Sequence, residues 1–468
     1  MKSRIVFLVV GVLAGIEVFH YLDSLNVVPS PLTAIPIPPP PAPARKNAPA
    51  RRVVWVLIDG LRLDASRTMP TLGRLRQEGA DFEASADFPT YSIPNYVVQA
   101  CGVDPATSGV RTNGYSVPVT LDSVFQRARE AGLATGAIGT DTPWFQKYFG
   151  AWISDGRILV EPDGPPATGA LALVHLDYAD HEAHQHGAES SEYKSAVAHA
   201  DAVLAKIVAK LDPAHDALVV TSDHGHIGRG GHGGAEPEVV AVPVVLWGAG
   251  ISAGIHRRGI SARDVAPTIA ALLGLPALAH ARGVSLLGDE AGARIVRDRV
   301  AKAVAADAKL RPARVARASA IAAVPAVAVL AALLIVAVHA RPGLRGWLTS
   351  PIYLVMLTGL YLMTDRLSFS SANEHELFMV RFAALASVAA IVQLMVGGRR
   401  SAAPAAVVAL LPVFYAVWLA PERPVVDLPT PGLAFFPVLA FGALCNICIW
   451  ALFWARVTPP APSPTAPR

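Results

Sequence analysis

The sequence predicts an α/β fold, a mostly parallel sheet with helices on both faces, joined to a bundle of membrane-spanning helices. Between residues 53 and 287, short apolar runs alternate with segments of helical periodicity, which is typical of a parallel sheet. The rest of the 468-residue chain holds six apolar runs, each near the length that crosses a bilayer as a helix. With 53% hydrophobic residues, the composition favours a membrane protein that carries a separate folded domain.

The six apolar runs predict one N-terminal and five C-terminal transmembrane helices. They lie at residues 5–22, 319–339, 347–363, 378–397, 401–420 and 432–455. As buried helices of a soluble protein they would need a core larger than the remaining chain could cover. Arg381 is the one clear charge inside a predicted span, and it lies near an end, where its side chain can reach the interface.

Basic residues predict the orientation of these spans. Lys2 and Arg4 precede the first span and place the N-terminus in the cytoplasm. If each predicted span crosses the membrane once, the short loops that carry basic residues and the C-terminus lie on the cytoplasmic side. The loops that carry acidic residues then lie on the opposite side. Arg311, Arg314 and Arg317 stand on the outer side, where they can meet anionic lipid headgroups. The alanine- and arginine-rich composition suggests a bacterial inner membrane, with residues 53–300 in the periplasm.

The predicted organisation has six parts. They are an N-terminal anchor (1–22), a Pro-rich linker (23–52), an extracytoplasmic domain (53–300), a basic juxtamembrane segment (301–318), a five-helix transmembrane bundle (319–456) and a Pro-rich cytoplasmic tail (457–468). Cys101 is the one cysteine of residues 53–300, so a disulfide framework is excluded there. The net charge of +4 is too small and scattered to indicate nucleic-acid binding.

Five segments of the extracytoplasmic domain are predicted as buried strands and three as amphipathic helices. The strands are RVVWVLIDG, GLATGAIGTD, GALALVHLDYAD, DALVVTSDHG and VPVVLWGAG, and the helices are TMPTLGRLRQEG, LDSVFQRAREAG and SEYKSAVAHADAVLAKIVAKLD. Parallel sheets place their sites beyond the carboxyl ends of the strands. Three of these strands end in an acidic residue: Asp59, Asp177 or Asp180, and Asp223.

Histidines cluster near the same strand ends, with nine of the fourteen between His175 and His232. Asp180 and His184 are four residues apart, which places both on one face of a helix. Asp223 and His224 adjoin a strand end, and His232 follows a glycine-rich turn. Carboxylates combined with imidazoles suit zinc or a similar divalent ion. Solvated surface histidines are the alternative, which applies to single residues better than to three clusters; His175, His181, His186 and His226 are expected to support the site or lie on the surface.

Five stretches resemble the alkaline phosphatase superfamily, especially its type I phosphodiesterase and nucleotide pyrophosphatase branch. In chain order they are VLIDGLR, FPTYSIPNY, DYADHEAHQHG, TSDHG followed by GGHGG, and DVAPTIAALLGLP with GVSLL. FPTYSIPNY is similar to the nucleophile segment of the family: a hydroxyl residue, any residue, proline, then asparagine or glycine. The ordered set is more specific than any single motif.

The resemblance implies two divalent metal ions, with zinc expected and manganese as the alternative. One site would use Asp180, His184 and His232, and the other would use Asp59, Asp223 and His224 together with Ser92. Two ions about 4 Å apart can hold the attacking and leaving oxygens of an in-line displacement.

The resemblance also implies that Ser92 is the nucleophile. Thr90 is its rival, and Ser92 is preferred because it directly precedes IPN, as the motif requires. Asn113 falls where the family places an amide donor to the phosphate. A turn asparagine before Gly114 is the competing interpretation, because Asn-Gly is a common turn pair.

The branch of the superfamily is narrowed by two features. Asn95 and Tyr96 stand where a sulfatase motif would carry arginine, which disfavours a sulfatase. Residues 221–250 are most similar to the luminal domain of GPI ethanolamine phosphate transferases, which also combine an anchor with C-terminal spans. This chain has only five such predicted spans, which leaves the acceptor open.

The resemblance therefore implies a membrane-bound, metal-dependent phosphodiesterase or phosphotransferase with a phosphoseryl intermediate. Its partners would be membrane lipids and a lipid-borne phosphodiester such as a phosphoethanolamine headgroup. Three alternatives stay open: a nucleotide pyrophosphatase acting on soluble substrates, an inactive membrane scaffold, and a transporter with an accessory domain.

Overall fold

A computed structural model describes residues 48–140, 144–158, 168–288, 343–353 and 375–398, with single positions outside these ranges. The chain divides into two compact units. One unit contains residues 23–312 and 368–375, and the other contains residues 1–22, 313–367 and 376–468.

Eight strands of the first unit form one sheet. They are β1 (Arg52–Ile58), β2 (Ala80–Ser85), β3 (Thr135–Gly139), β4 (Asp155–Ile158), β5 (Leu171–Leu176), β6 (Asp216–Thr221), β7 (Ala241–Gly248) and β8 (Ile255–Ser261). Their order in the sheet is β4-β3-β5-β1-β6-β7-β2-β8. The central strands β5, β1 and β6 are parallel neighbours, so their carboxyl ends lie side by side. Every residue of β5 is buried, as expected for a strand covered on both faces.

Helices cover both faces of this sheet, as the sequence predicts. They are α1 (Leu63–Ser66), α2 (Pro70–Glu78), α3 (Ser92–Cys101), α4 (Pro105–Ser108), α5 (Val124–Glu130), α6 (Trp144–Phe149), α7 (Tyr178–His186), α8 (Ser191–Val208), α9 (Pro237–Val240) and α10 (Val265–Leu272). Alternate residues of β1 enter two different cores because side chains alternate across a strand. Trp55 packs in the core that includes residues of α3, α5 and α10, whereas Val56 packs with residues of α2, α7 and α8.

The sheet is mixed, and most of its described strand pairs are parallel, as the sequence predicts; the segment VPVVLWGAG is the antiparallel exception. This segment forms β7, which pairs antiparallel with both β6 and β2. Residues 222–240 hold a glycine-rich loop and the four-residue helix α9, too little to carry the chain back across the sheet. The chain therefore re-enters the sheet from the end at which β6 left it. Strands β2, β4 and β8 were not predicted.

The predicted linker contributes to the first unit at the positions that the structure describes. Leu32 is fully buried in the core that contains Trp55. The Ser30 hydroxyl donates to the carbonyl oxygen of Thr107 at 2.8 Å, and the backbone N–H of Ala50 donates to Leu272 at 2.9 Å.

The second unit contains helices α11 (Gly343–Leu348) and α12 (His375–Gly397), the latter beginning at the last residue of the segment 368–375. Within the residues that the structure describes, no helix combines the length and the apolar character needed to cross a membrane. The predicted spans at 5–22, 319–339 and 432–455, most of 401–420 and part of 347–363 lie outside the described residues.

Candidate metal centre and active site

The predicted site residues meet at the carboxyl ends of β5, β1 and β6. Asp59 directly follows β1, and Asp223 lies two residues beyond β6. Helix α7 begins two residues after β5 and carries Asp180 and His184. The three strands are adjacent, so residues far apart in the chain lie in one cluster.

Asp59, Asp223 and His224 form the first group with metal-ligand geometry. The Nε2 atom of His224 lies 3.5 Å from Oδ1 of Asp59 and 3.2 Å from Oδ2 of Asp223. All three residues are buried. The backbone N–H of Gly60 donates to Oδ1 of Asp223 at 3.2 Å, which orients that carboxylate.

Asp180, His184 and His232 form the second group. Oδ1 of Asp180 lies 3.5 Å from Nε2 of His184 and 3.7 Å from Nε2 of His232. The two imidazole nitrogens lie 3.1 Å apart. His224 connects the two groups, because its Nε2 lies 3.9 Å from the same oxygen of Asp180.

His226 lies in this cluster as well, although the sequence suggested only a supporting or surface role. Its Nε2 atom lies 2.9 Å from Oδ1 of Asp180, and the residue is fully buried. Asp180, His184 and His226 also satisfy metal-ligand geometry. His181 and His186, by contrast, are exposed on α7.

Ser92 occupies the first residue of α3, beside the cluster. Its Oγ atom lies 3.1 Å from Nε2 of His224. Thr90 is fully buried and occupied by backbone contacts: its hydroxyl donates to the carbonyl of Gly234 at 2.7 Å and accepts from the N–H of Gly233 at 3.0 Å. The two hydroxyls of the motif therefore differ in their surroundings.

Asn95 and Asn113 shape the segment around Ser92. The amide of the fully buried Asn95 accepts from the N–H of Asp87 at 2.8 Å and donates to the carbonyl of Tyr91 at 3.1 Å. Oδ1 of Asn113 accepts from the N–H of Ile93 at 3.0 Å. This bond fixes Asn113 next to the start of α3 and leaves its Nδ2 atom available to donate.

The glycine-rich loop can pack against α7 because it has no side chains there. Gly230 has a φ of +98°, and a Cβ on it would lie 2.3 Å from the carbonyl oxygen of Ala183. The loop then delivers His232, whose Nδ1 atom lies 3.0 Å from the carbonyl oxygen of Thr90. A neutral ring that donates from Nδ1 presents Nε2 to the cluster as an acceptor.

The cluster fits divalent cations on its own chemistry. Oδ1 of Asp59 and Oδ2 of Asp223 are buried without a hydrogen-bond partner among the described residues. Such groups are costly to leave unpaired. Carboxylate oxygens and imidazole nitrogens converge within 4.8 Å in three sets, a donor arrangement that suits zinc: Asp59, Asp223 and His224; Asp180, His224 and His232; and Asp180, His184 and His226. Bound cations would satisfy the orphaned oxygens and separate the crowded nitrogens.

The crowding of carboxylates shifts their pKa values in different directions. Burial, with the charges of Asp59 and Asp180, raises the pKa of Asp223 well above its ordinary value. Burial and Asp180 also act to raise the pKa of Asp59, but interactions with His175 and His224 outweigh them and lower it.

The imidazoles and Tyr96 respond mainly to burial. Desolvation lowers the pKa of His232 and of His226 well below the ordinary value, with a further contribution from His224. Burial and the charge of Asp59 raise the pKa of the Tyr96 phenol well above its ordinary value. At neutral pH, His226 and His232 are therefore neutral and Tyr96 keeps its proton.

Tyr96 and His175 surround Asp59, and sequence reasoning assigned no site role to Tyr96. The Tyr96 hydroxyl donates to Oδ2 of Asp59, and Nε2 of His175 lies 3.0 Å from the same oxygen. Tyr96 is four residues after Ser92 in a helix, so the spacing could have placed both side chains on one face.

Comparison with known proteins finds a matching family and a set of relatives. The sequence model of the type I phosphodiesterase/nucleotide pyrophosphatase family matches residues 53–161 and 144–228. GPI ethanolamine phosphate transferase 1 of Mus musculus is 26% identical over 308 residues, covering 51% of this chain and 33% of the relative. The Saccharomyces cerevisiae protein of that name is 24% identical over 315 residues, covering 54% and 33%. The chain thus spans about a third of the length of these relatives.

Solved structures are less similar to this chain in sequence than these relatives are. Murine ectonucleotide pyrophosphatase/phosphodiesterase 5 superposes with a TM-score of 0.38 and 13% identity, over 48% of this chain and 96% of that one. The lipoteichoic acid synthase LtaP from Listeria monocytogenes gives 0.38 and 15%, over 52% and 76%. The family match covers residues 53–228, which include the strands and helices that carry most of the cluster, so this part of the chain is similar to the enzymes of the type I phosphodiesterase/nucleotide pyrophosphatase family.

Proposed function

We propose that this protein is a membrane-bound, metal-dependent phosphodiesterase or phosphotransferase that acts through a phosphoseryl intermediate at Ser92. The observation that carries the proposal is the position of the Ser92 hydroxyl, 3.1 Å from Nε2 of His224, at the junction of the two Asp/His groups. A serine hydroxyl is a weak nucleophile at neutral pH and needs such an environment to react. Thr90 is held by two backbone contacts and is not placed to react in this way.

Two cations would be held by the Asp and His side chains of the cluster. Asp180, His184 and His232 would hold one, and Asp59, Asp223 and His224, with Ser92, would hold the other. When bound, such ions activate a nucleophile and offset charge on the phosphoryl oxygens. His226 lies close enough to Asp180 to orient its carboxylate or to act as a further ligand of the cation that Asp180 would hold.

The residues of the chain then account for two displacements at phosphorus. In the first, the Ser92 oxygen forms a bond to phosphorus, and the bond from phosphorus to the leaving oxygen breaks. The phosphoseryl group is released when water or an acceptor hydroxyl forms its own bond to phosphorus and the Ser92 oxygen departs. Asn113 would donate from Nδ2 to a phosphoryl oxygen. The N-terminus of α3 adds a favourable partial positive charge for an anion.

The substrate we propose is a lipid-borne phosphodiester, with phosphoethanolamine as the transferred unit. Three features support this choice: the similarity to proteins named GPI ethanolamine phosphate transferase 1, the apolar runs in the C-terminal sequence, and the basic residues Arg311, Arg314 and Arg317. An anchor alone would serve an enzyme that acts on soluble substrates. Five further apolar segments suggest that the substrate itself resides in the membrane.

A nucleotide pyrophosphatase acting on soluble substrates is the second candidate, because the matching family includes that activity by its description. An inactive scaffold is disfavoured by the complete set of Asp, His and Ser side chains at the site.

A substrate panel tests the proposal with the full-length protein in detergent and zinc. We expect release or transfer of phosphoethanolamine from phosphatidylethanolamine, with slower cleavage of ATP and of a chromogenic diester. The Ser92→Ala protein serves as the blank. Faster cleavage of ATP than of the lipid would support the second candidate, and no cleavage of any diester would contradict both.

A further inference from the structure

The carboxylate of Asp59 is held asymmetrically. Its Oδ2 atom accepts from the Tyr96 hydroxyl and lies 3.0 Å from Nε2 of His175. Its Oδ1 atom is buried, has no hydrogen-bond partner among the described residues, and lies 3.5 Å from Nε2 of His224. One oxygen is therefore occupied by neighbouring side chains, and the other faces the cluster.

The hydrogen-bond directions around Oδ2 follow from the available partners. The Tyr96 hydroxyl also lies 3.1 Å from Nε2 of His175, so three polar groups meet at one point. Nδ1 of His175 is buried without a partner among the described residues, whereas Nε2 has two acceptors nearby. In the neutral ring the proton therefore belongs on Nε2, and both His175 and Tyr96 donate toward Asp59.

The two donors are themselves fixed by packing. The Tyr96 ring stacks on Trp144 with centroids 4.1 Å apart, and the His175 ring meets the edge of Trp144 at 5.8 Å. Tyr96 is 4% exposed and His175 is 3% exposed, so water does not compete for Oδ2. Tyr96 also belongs to the helix that begins with Ser92, and its hydroxyl therefore ties the position of that helix to Asp59.

We propose that Tyr96 is a positioning residue which, together with His175, holds Oδ2 of Asp59 so that Oδ1 is presented to a divalent cation. The inference rests on the proposed metal centre. Removal of a partner that orients a metal ligand typically weakens metal binding about 10–100-fold. Because Ser92 and Tyr96 share α3, the same contact keeps the nucleophile in register with the metal ligands.

The test compares full-length wild-type protein with Tyr96→Phe, which keeps the ring and the stack on Trp144 but removes the hydroxyl. Zinc binding to chelator-stripped protein is measured by competition with a chromogenic chelator. We expect Tyr96→Phe to bind at least one of the two ions about 10–100-fold more weakly. We also expect altered absorption bands in the cobalt-substituted protein, because the orientation of a ligand changes.

Tyr148→Phe is the matched control. Tyr148 is also buried, and its hydroxyl donates to the carbonyl oxygen of Tyr115 at 2.7 Å, a contact outside the Asp/His cluster. Its loss should lower the stability of the metal-free protein without changing zinc affinity or the cobalt bands. A folded Tyr96→Phe protein that behaves like this control would overturn the inference, because the role of the hydroxyl would then be structural only.

His175→Leu decides the matter if Tyr96→Phe does not fold. It removes the second donor to Oδ2 of Asp59 and should also weaken zinc binding. Unchanged affinity in His175→Leu would overturn the inference. A wild-type chain that binds no zinc would instead contradict the proposed metal-dependent function, so the two failures are distinguishable.

Discussion

The Oγ atom of Ser92 lies 3.1 Å from Nε2 of His224, although 132 residues separate them in the chain. Ser92 reaches this point from the start of α3, and His224 reaches it from the loop after β6. The contact brings the nucleophile motif and the histidine-rich loop into one site.

Ser92→Ala should lower turnover of a phosphodiester reporter by about a thousandfold or more, which corresponds to about 4 kcal/mol of transition-state stabilisation. Thr90→Ser keeps a hydroxyl for the Gly233 and Gly234 contacts and should retain most of the activity. Mass spectrometry of wild-type protein quenched during turnover should find, on Ser92, the phosphoryl group with the ester substituent that did not leave. The same group on residue 90, in the wild-type or the Thr90→Ser protein, would show that Ser92 is not the nucleophile.

His184→Ala should reduce zinc content from about two ions per chain to about one, because it removes a ligand of the proposed site at Asp180, His184 and His232. His186→Ala is the control on the same helix; its side chain is exposed and lies 3.5 Å from Glu182. Metal analysis under zinc-replete conditions measures both. Equal zinc content in the two variants would argue against the assignment of His184.

Asp223→Asn should change how the stability of the metal-free protein depends on pH. The pKa of Asp223 is raised in the folded state, so the folded protein binds this proton more tightly than the unfolded chain. The free energy of unfolding should therefore fall as pH rises from about 4 through the folded pKa, by up to about 1.4 kcal/mol per pH unit. Urea unfolding in chelator should show a flatter curve for the variant. Parallel curves would contradict the expectation.

Gly230→Ala should weaken zinc binding and lower stability by about 1–3 kcal/mol, because an L-residue is strained at a φ of +98° and its Cβ would meet the Ala183 carbonyl. Gly73→Ala, in the interior of α2 with open space around it, should instead stabilise the protein by about 0.5–1 kcal/mol. Thermal unfolding with and without zinc compares the two. A harmless Gly230→Ala would show that the loop has room to rearrange.

Arg127→Met should cost about 3–5 kcal/mol of unfolding free energy, because it leaves the buried carboxylate of Asp122 without its cation. Both side chains are fully buried, with an N–O distance of 2.8 Å. Arg74→Met breaks the exposed pair with Glu78 and should cost less than about 1 kcal/mol. Urea unfolding measures the free energy of unfolding of both variants. A similar loss in the two would refute the expected difference between the buried and the exposed ion pair.

The period of the apolar residues was enough to predict β1, β3, β5, β6, α2, α5 and α8, because buried strands and amphipathic helices differ in that period. Strand β2 was not predicted, although its ADFEAS sequence alternates apolar and polar residues in step with its burial, because two of its three apolar residues are alanines. The antiparallel direction of β7 could not be predicted, because the residues of a strand do not show whether the preceding loop crosses the sheet. The transmembrane spans predicted from the apolar runs stay predictions, since most of their residues lie outside the described ranges.

By itself, the sequence determined the central parallel strands, the placement of Asp59 and Asp223 after strand ends, and the spacing of Asp180 and His184 on one helical face. These depend on local periodicity, which short stretches of chain carry. Only the tertiary structure decided that β5, β1 and β6 are neighbours, that Thr90 is occupied by backbone while Ser92 is not, and that Tyr96 and His175 meet at one oxygen of Asp59. Those facts depend on how segments distant in sequence pack against one another. That packing is decided by the burial of the whole core and not by any one stretch of chain.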